Sequence, residues 1–407
     1  MRQGILNRFL IVTISLLLGT AGFAASQTKK KRATTRKPAA TTAKKSTAAS
    51  VSKPVSSPTV LRSTTSRKPA RARVRRTRRS YSPWSEPTFA DSTIGDVIDG
   101  EDPVVRRAAV EALGPYNGAV VVVDPNTGRV LSMVNQRLAL KSGFQPCSII
   151  KVPVAMAALV EGIIENNTVM RVYGRKRLTL TEALARSDNP FFAHLGNKLG
   201  FDRFSHYARL FGLGEKAGLD IIGEQPGVFP AEPPRNVNLG IMTSFGEGIS
   251  LTPLQLAAML SSIANGGTLY YLQYPRSAEE ALSLVPRVKR HLDIESWIPE
   301  IKPGMMAAVE YGTARRANYD PTEPILGKTG TCTDARTHMG WFGSFNDVGR
   351  NKLTVVVMLT GGRGVNGPTA AEIAGNVYRN LSQQDFFAHN REISPTALVG
   401  AGSCCSQ

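Results

Sequence analysis

Cysteine is scarce in this chain: four in 407 residues, at 147, 332, 404 and 405, with no C-x-x-C pair. That usage excludes a zinc module and a disulfide-dense mini-fold. The histidines at 194, 206, 291, 338 and 389 show no H-x-x-x-H pattern, so no metal site and no cofactor are expected. No G-x-S-x-G occurs, which leaves a nucleophile-elbow hydrolase unsupported. Gly327-Lys328-Thr329 mimics the end of a phosphate-binding loop. That motif needs glycine at 322, which is Thr322, and a following helix, where the pattern predicts a strand. Acidic residues are missing from the first 80 positions, which hold 20 of the 50 Lys and Arg, so the rest sets 30 bases against 31 acids. The formal charge of +19 therefore belongs to the N-terminal segment. The balanced body lacks the footprint of a nucleic-acid binder, and no nucleic-acid partner is expected.

What is present begins with an export signal. Arg2 and Arg8 form a basic start, Phe9 to Ala24 are mostly apolar, and Gly22-Phe23-Ala24-Ala25 offers a cleavage site. The run is short for a transmembrane span, and Lys29–Arg32 beyond it oppose an anchor of that orientation. Residues 1–25 are expected to be a cleaved signal first and a retained anchor second. With no Cys at the end of the run, no lipoprotein anchor is expected. Either way the body faces an extracytoplasmic, oxidising space, periplasm or cell envelope. Residues 26–95 read as a basic linker of Lys, Arg, Ser, Thr, Pro and Ala, which buries too little surface to offset its chain entropy. It is expected to be a solvated spacer, with attachment to anionic lipid or acidic wall polymer as the sharper alternative.

Hydrophobic residues make up 42% of the whole chain, enough for the body, 96–390, to bury a core. Val104–Leu113 predicts a helix. Ala119–Val123 and Val130–Val134 flank a Pro/Asn/Gly turn and predict a hairpin. An apolar helix is predicted from Ser148 to about Gly162, with shorter ones over Leu180–Arg186 and Pro190–Leu199. Thr252-Pro253-Leu254-Gln255 is a capping box with Pro at N1, and its helix is expected to stop at Gly266-Gly267. Ile325–Thr333, Met339–Phe345 and Leu353–Thr360 read as strands, and Pro368–Leu381 as a closing helix. Strands at both ends with helices between suggest an antiparallel sheet built from both ends and covered by helices. No internal repeat is visible. Residues 391–407 read as a flexible tail, and Cys404 and Cys405 within it have no assigned role.

Three short motifs carry chemistry. Ser148-Ile149-Ile150-Lys151 is S-x-x-K, and on a helix this spacing sets both side chains on one face. The same spacing at Ser26–Lys29 and Ser50–Lys53 lies in the linker and carries nothing. Ser187-Asp188-Asn189 is S-x-N, repeated at Ser344-Phe345-Asn346. Lys328-Thr329-Gly330 is K-T-G, inside a predicted strand. Taken singly, Ser148 serves equally as a helix start, Asn189 as a helix cap and Lys328 as a surface charge. In this order, on helix, loop and strand, the three form a specific set.

With these motifs the chain resembles the transpeptidase domain of penicillin-binding proteins over roughly 115–380. The stretches Gly118–Val134, Ser187–Gly200, Gly218–Gly227, Phe245–Gly267, Glu310–Ala317 and Lys328–Gly343 look like the same family. The resemblance implies an α/β (α+β) fold of the β-lactamase/transpeptidase type: a five-stranded antiparallel sheet covered by helices, plus an α-helical subdomain. Asn167–Leu178 stands where relatives carry a longer loop beside the cleft. The chemistry implied is an acyl-serine D,D-transpeptidase acting on peptidoglycan stem peptides ending in D-Ala-D-Ala, and acylated by β-lactams. Ser148 would be the nucleophile and Lys151, neutral for part of the time, its base. Ser187 would pass the proton to the leaving amine, and Asn189 would hold the substrate amide. Lys328 would attract the terminal carboxylate, with hydroxyl donors from Thr329 and Thr331. Gly330 would let the substrate lie against the strand edge, where a side chain would collide. The backbone N–H groups of Ser148 and Thr331 would form the oxyanion hole.

If those two N–H groups meet at one oxygen, Cys147 and Cys332 are neighbours. A bridge at these motif-relative positions resembles that of class A serine carbapenemases, and a Cys147–Cys332 disulfide is expected. Alternatives remain open. A D,D-carboxypeptidase uses water as acceptor. A serine β-lactamase needs a water-activating base, yet no E-x-x-L-N follows Ser187 and the nearest acid in a plausible region is Glu224. A non-catalytic β-lactam sensor or wall-associated scaffold is the alternative of another class.

Overall fold

A computed structural model of the chain describes residues 85–387 apart from 142, 166, 319, 349 and 350. The expected export signal at 1–25, the expected linker up to 84 and the expected tail at 391–407 lie outside the described residues. Among the described residues no helix is long and apolar enough to cross a membrane.

Helix α1, Pro103–Leu113, starts where Asp102 accepts the backbone N–H groups of Val104 and Val105 at 2.9 and 3.0 Å, with Pro103 next to the cap. Strands β1 (Gly118–Val123) and β2 (Val130–Val134) form the expected hairpin, followed by the short α2 (Gln136–Ala139). A 3-10 turn, Cys147–Ile150, leads into α3 (Lys151–Val160). A small hairpin of β3 (Met170–Tyr173) and β4 (Lys176–Leu178) precedes α4 (Leu180–Ala185), α5 (Asn189–Leu199) and α6 (Phe201–Leu210). Then come α7 (Leu239–Phe245), α8 (Pro253–Ala264), β5 (Thr268–Tyr270), α9 (Ala278–Leu282), β6 (Val288–His291) and α10 (Ile298–Glu310). The chain closes with β7 (Ile325–Thr333), β8 (His338–Asn346), β9 (Thr354–Gly361) and α11 (Gly367–Ser382).

The main sheet has the order β2-β1-β9-β8-β7, every neighbouring pair antiparallel. Its strands come from both ends of the body, as the pattern predicted. Both faces of the central strands are covered, so β1 and β9 read as near-continuous apolar runs rather than alternating ones. Successive valines still separate by face. Val121, Val123, Val356 and Met358 join the core with α3, α5 and α8, while Val120, Val122, Val355 and Val357 pack towards α1 and α11. Helix α8 is buried on every side and has the expected capping box between Thr252 and Gln255.

One boundary is corrected. Residues 85–95, grouped with the linker by composition, belong to the fold. Phe89 bridges Tyr116, Asn117 donates its N–H to Thr88 O at 2.9 Å, and Ser92 is buried with Gly118 N donating to its hydroxyl. The segment is held by backbone and hydroxyl hydrogen bonds, which leave no hydrophobic period to read. Strand β7 is the sheet's outer strand beyond β8, and the 3-10 turn, α10 and the end of α4 gather around it.

Candidate active site

The 148–151 segment is tighter than expected. Ser148 sits in the 3-10 turn, closed by Ile149 N–H donating to Pro146 O at 3.1 Å, and the α-helix begins only at Lys151. A 3-10 helix has three residues per turn and eclipses positions i and i+3. The Ser148 and Lys151 side chains therefore superpose along the axis, and Lys151 Nζ lies 2.6 Å from Ser148 Oγ. Just before the serine, Cys147 takes the left-handed conformation, φ 52°. A non-glycine residue there stores strain and needs outside support. Trp341 Nε1–H donates to Gln145 O at 3.0 Å, Gln145 Nε2 donates to Phe245 O at 3.0 Å, and a disulfide joins Cys147 to Cys332 with Cα atoms 5.6 Å apart.

The S-x-N motif is the joint between two helices. Helix α4 opens with a Thr179/Glu182 capping box and ends in a Schellman arrangement. Ser187 N–H donates to Leu184 O at 3.2 Å and Asp188 N–H to Ala183 O at 2.9 Å, with Ser187 at φ 54° where glycine is usual. The next residue caps the following helix: Asp188 Oδ1 accepts Phe191 N–H at 2.9 Å. The cap of α5 is thus Asp188, and Asn189, the first helical residue, has its side chain free to accept from Lys151 Nζ at 2.6 Å. Ser187 Oγ lies between two amines, 3.4 Å from Lys151 Nζ and 2.8 Å from Lys328 Nζ.

The third motif lies on β7. Lys328 is fully buried, and its Nζ also donates to Thr329 O at 2.9 Å. The Thr329 hydroxyl is 2.6 Å from that of Thr313, and Thr331 Oγ1 accepts Gly367 N–H at 2.7 Å. Neither hydroxyl is idle, but that of Thr331 keeps its proton to donate. Gly330 requires a correction. A Cβ built there points not to an open strand edge but to Pro146 O at 2.9 Å, Ile149 Cγ1 at 3.1 Å and Trp341 Cβ at 3.1 Å. The glycine lets the serine-bearing turn lie directly on β7. Gly330→Ala is expected to cost about 1–3 kcal/mol through overpacking, read as a lower urea midpoint at constant m-value. An unchanged midpoint would mean that the turn has room to move.

Electrostatics set the two lysines apart. Burial holds the Lys151 amine well below its ordinary value of 10.5, the nearby Lys328 charge adds to this, and Asp188 opposes it. Burial alone lowers Lys328 to about 7. The rings of Phe192 and Phe245 stand 5.7 and 5.8 Å from Lys151 Nζ. Cation–π attraction, roughly 0.5–2 kcal/mol, favours the charged amine. Desolvation of several kcal/mol outweighs it. These rings, with Asp188 and Thr313, are site residues that the motifs did not reveal. They arrive from α5, α7 and the 311–317 segment, where sequence spacing carries no signal. Glu224 stands apart: its carboxylate accepts the N–H groups of Ala217 at 2.7 Å and Gly218 at 3.0 and 3.1 Å, and no hydrogen bond joins it to Ser148.

Known proteins are similar to this chain. The family described as penicillin binding protein transpeptidase domain matches residues 118–379. Stage V sporulation protein D of Bacillus subtilis (strain 168) is 29% identical over 314 residues, 66% of this chain and 48% of that protein. Penicillin-binding protein PbpB of Mycolicibacterium smegmatis is 26% identical over 301 residues, 63% of this chain and 46% of its own. The chain thus spans about half the length of these curated relatives. The crystal structure of Pseudomonas aeruginosa PBP2 in complex with WCK 5153 has the same fold, with TM-score 0.60 and 24% identity over 70% of this chain and 77% of that one. The matched span takes in all three motifs and every strand of the main sheet, and the chain belongs to the penicillin-binding protein transpeptidase family.

Proposed function

We propose that this protein is a serine D,D-transpeptidase that cross-links peptidoglycan stem peptides through an acyl-enzyme on Ser148. The observation that carries the proposal is Lys151 Nζ at 2.6 Å from both Ser148 Oγ and Asn189 Oδ1. A buried amine held short of protonation by its surroundings can take the serine proton. Ser148 Oγ bonds to the carbonyl carbon of the penultimate D-alanine, and charge on the carbonyl oxygen meets the N–H groups of Ser148 and Thr331. The C–N bond breaks, Ser187 relays the proton from Lys151 to the leaving amine, and free D-alanine departs. Lys328, Thr329 and Thr331 hold the terminal carboxylate, and an acceptor amine then attacks the ester. In the same proposal residues 1–25 direct export, the basic segment is a solvated spacer, and the domain works outside the cytoplasm. β-Lactams acylate Ser148 because they present the same carboxylate and strained amide.

Fluorescent penicillin tests this. Wild type is expected to take up label and lose it slowly, and Ser148→Ala to take up none. Fast loss indicates a β-lactamase. The absence of label on wild type indicates a scaffold and defeats the proposal. Release of D-alanine with water as the only acceptor indicates a carboxypeptidase.

A further inference from the structure

The β3–β4 hairpin carries Arg171, Arg175, Lys176 and Arg177 and no acid between Met170 and Leu178. Met170 and Leu178 root it in the core, and Lys176 Nζ reaches Asp188 Oδ2 at 2.5 Å. Asp188 stands between Ser187 and Asn189, so the hairpin is joined directly to the rim of the site. Arg186, at the end of α4, is exposed one residue before Ser187.

A charged hairpin is ordinarily a solvated surface, with its charges spaced or paired. The arginines of this one are neither. Arg171 and Arg177 are direct cross-strand partners, both exposed. Like charges placed opposite each other destabilise a two-stranded ribbon, which is marginal in any case. Among the described residues no carboxylate lies within ion-pair distance of Arg171, Arg175 or Arg177. Arg171 is oriented instead by its Nε donating to Gly174 O at 2.7 Å. Guanidinium groups left without counter-ions suit the paired oxygens of a carboxylate.

We infer that the β3–β4 hairpin is a subsite for free carboxylates on the donor strand, upstream of the bond that is cut. The inference rests on the acyl-serine proposal. If Asn189 holds the amide before the scissile bond, the donor leaves past the start of α5, where Asp188 binds the hairpin. The enzyme then selects an acidic donor over the same strand with its carboxylates amidated.

Two synthetic donors ending in D-Ala-D-Ala, one with free upstream carboxylates and one amidated, test this as competitors against fluorescent penicillin. The acidic peptide is expected to halve the labelling rate at about a tenth of the concentration the amidated one needs, a preference that shrinks as salt screens the charges. Arg171→Gln/Arg177→Gln should bring the ratio of the two towards one, and Arg177→Glu should invert it. Because both peptides meet the same variant, a general loss of activity cancels. Equal protection by both peptides on wild type overturns the subsite, as does a salt-independent preference. So does a variant that loses binding to anionic vesicles yet keeps the preference. Failure of wild type to label at all strikes the acyl-serine proposal itself, and the subsite falls with it.

Discussion

Lys151→Met is expected to lower the rate of acylation by penicillin about 10²–10⁴-fold, the range lost with a general base. Methionine keeps most of the side-chain volume and removes a buried amine, so the fold should hold or gain stability. The loss is therefore catalytic. The wild-type profile against pH gives the independent signature. In the proposed reaction Lys151 acts without its proton, so the rate should fall as pH drops through its lowered value. In the same proposal Lys328 acts charged, and with its value at about 7 the attraction for a carboxylate should fade as pH rises beyond that point. The outcome is a bell. A bound carboxylate favours the charged form of Lys328, so the alkaline limb should move up for the bound enzyme relative to the free one. Labelling of Lys151→Met within tenfold of wild type would remove Lys151 from the role of base.

Stability should run against activity over the same range. An unfolded Lys328 titrates near 10.5 and the folded one near 7. Between those values the unfolded chain binds more protons, so stability rises with pH there. The burial penalty on the charged amine is fully present below about 7. The site thus keeps a costly buried charge under the conditions in which it works, as expected where a cation waits for an anionic partner.

The motifs were legible because each is local. Ser148 and Lys151 are three apart on one turn, and Lys328 sits in a β run whose valine-rich neighbours name the sheet. What the sequence hid depends on chain crossings. Asp188 looked like the variable middle of a motif, yet it caps α5, anchors the hairpin and sets a charge near Lys151. Helix α10 has no counterpart in the sequence reading: it carries Pro299 and Pro303, and its apolar face packs against α4 and β7. Gly330 reads as a close approach, and the atoms a Cβ there would meet belong to the serine turn and Trp341. No one-dimensional pattern tells which face of β7 the serine turn covers.

Removing the Cys147–Cys332 bridge is the second large effect expected. It joins positions 185 residues apart. Loop-closure entropy for such a loop is worth about 5 kcal/mol in the unfolded chain, and native bridges typically return about 2–5. The serine turn has other restraints: the Trp341 and Gln145 hydrogen bonds, near 1 kcal/mol each, and its seat on Gly330. These keep the turn on the sheet. They do not act on the left-handed Cys147 itself, which without the bridge is free to relax towards negative φ and carry the Ser148 N–H with it. Cys147→Ala/Cys332→Ala should therefore lower the urea midpoint and slow penicillin acylation more than tenfold, while Ser148 remains the labelled residue. A mass map of protein from an oxidising compartment with both thiols free would abolish the bridge. An alanine pair with an unchanged midpoint and labelling rate would leave Cys147 held by its neighbours alone, and the precision of the oxyanion site would then rest on the contact between the serine turn and Gly330.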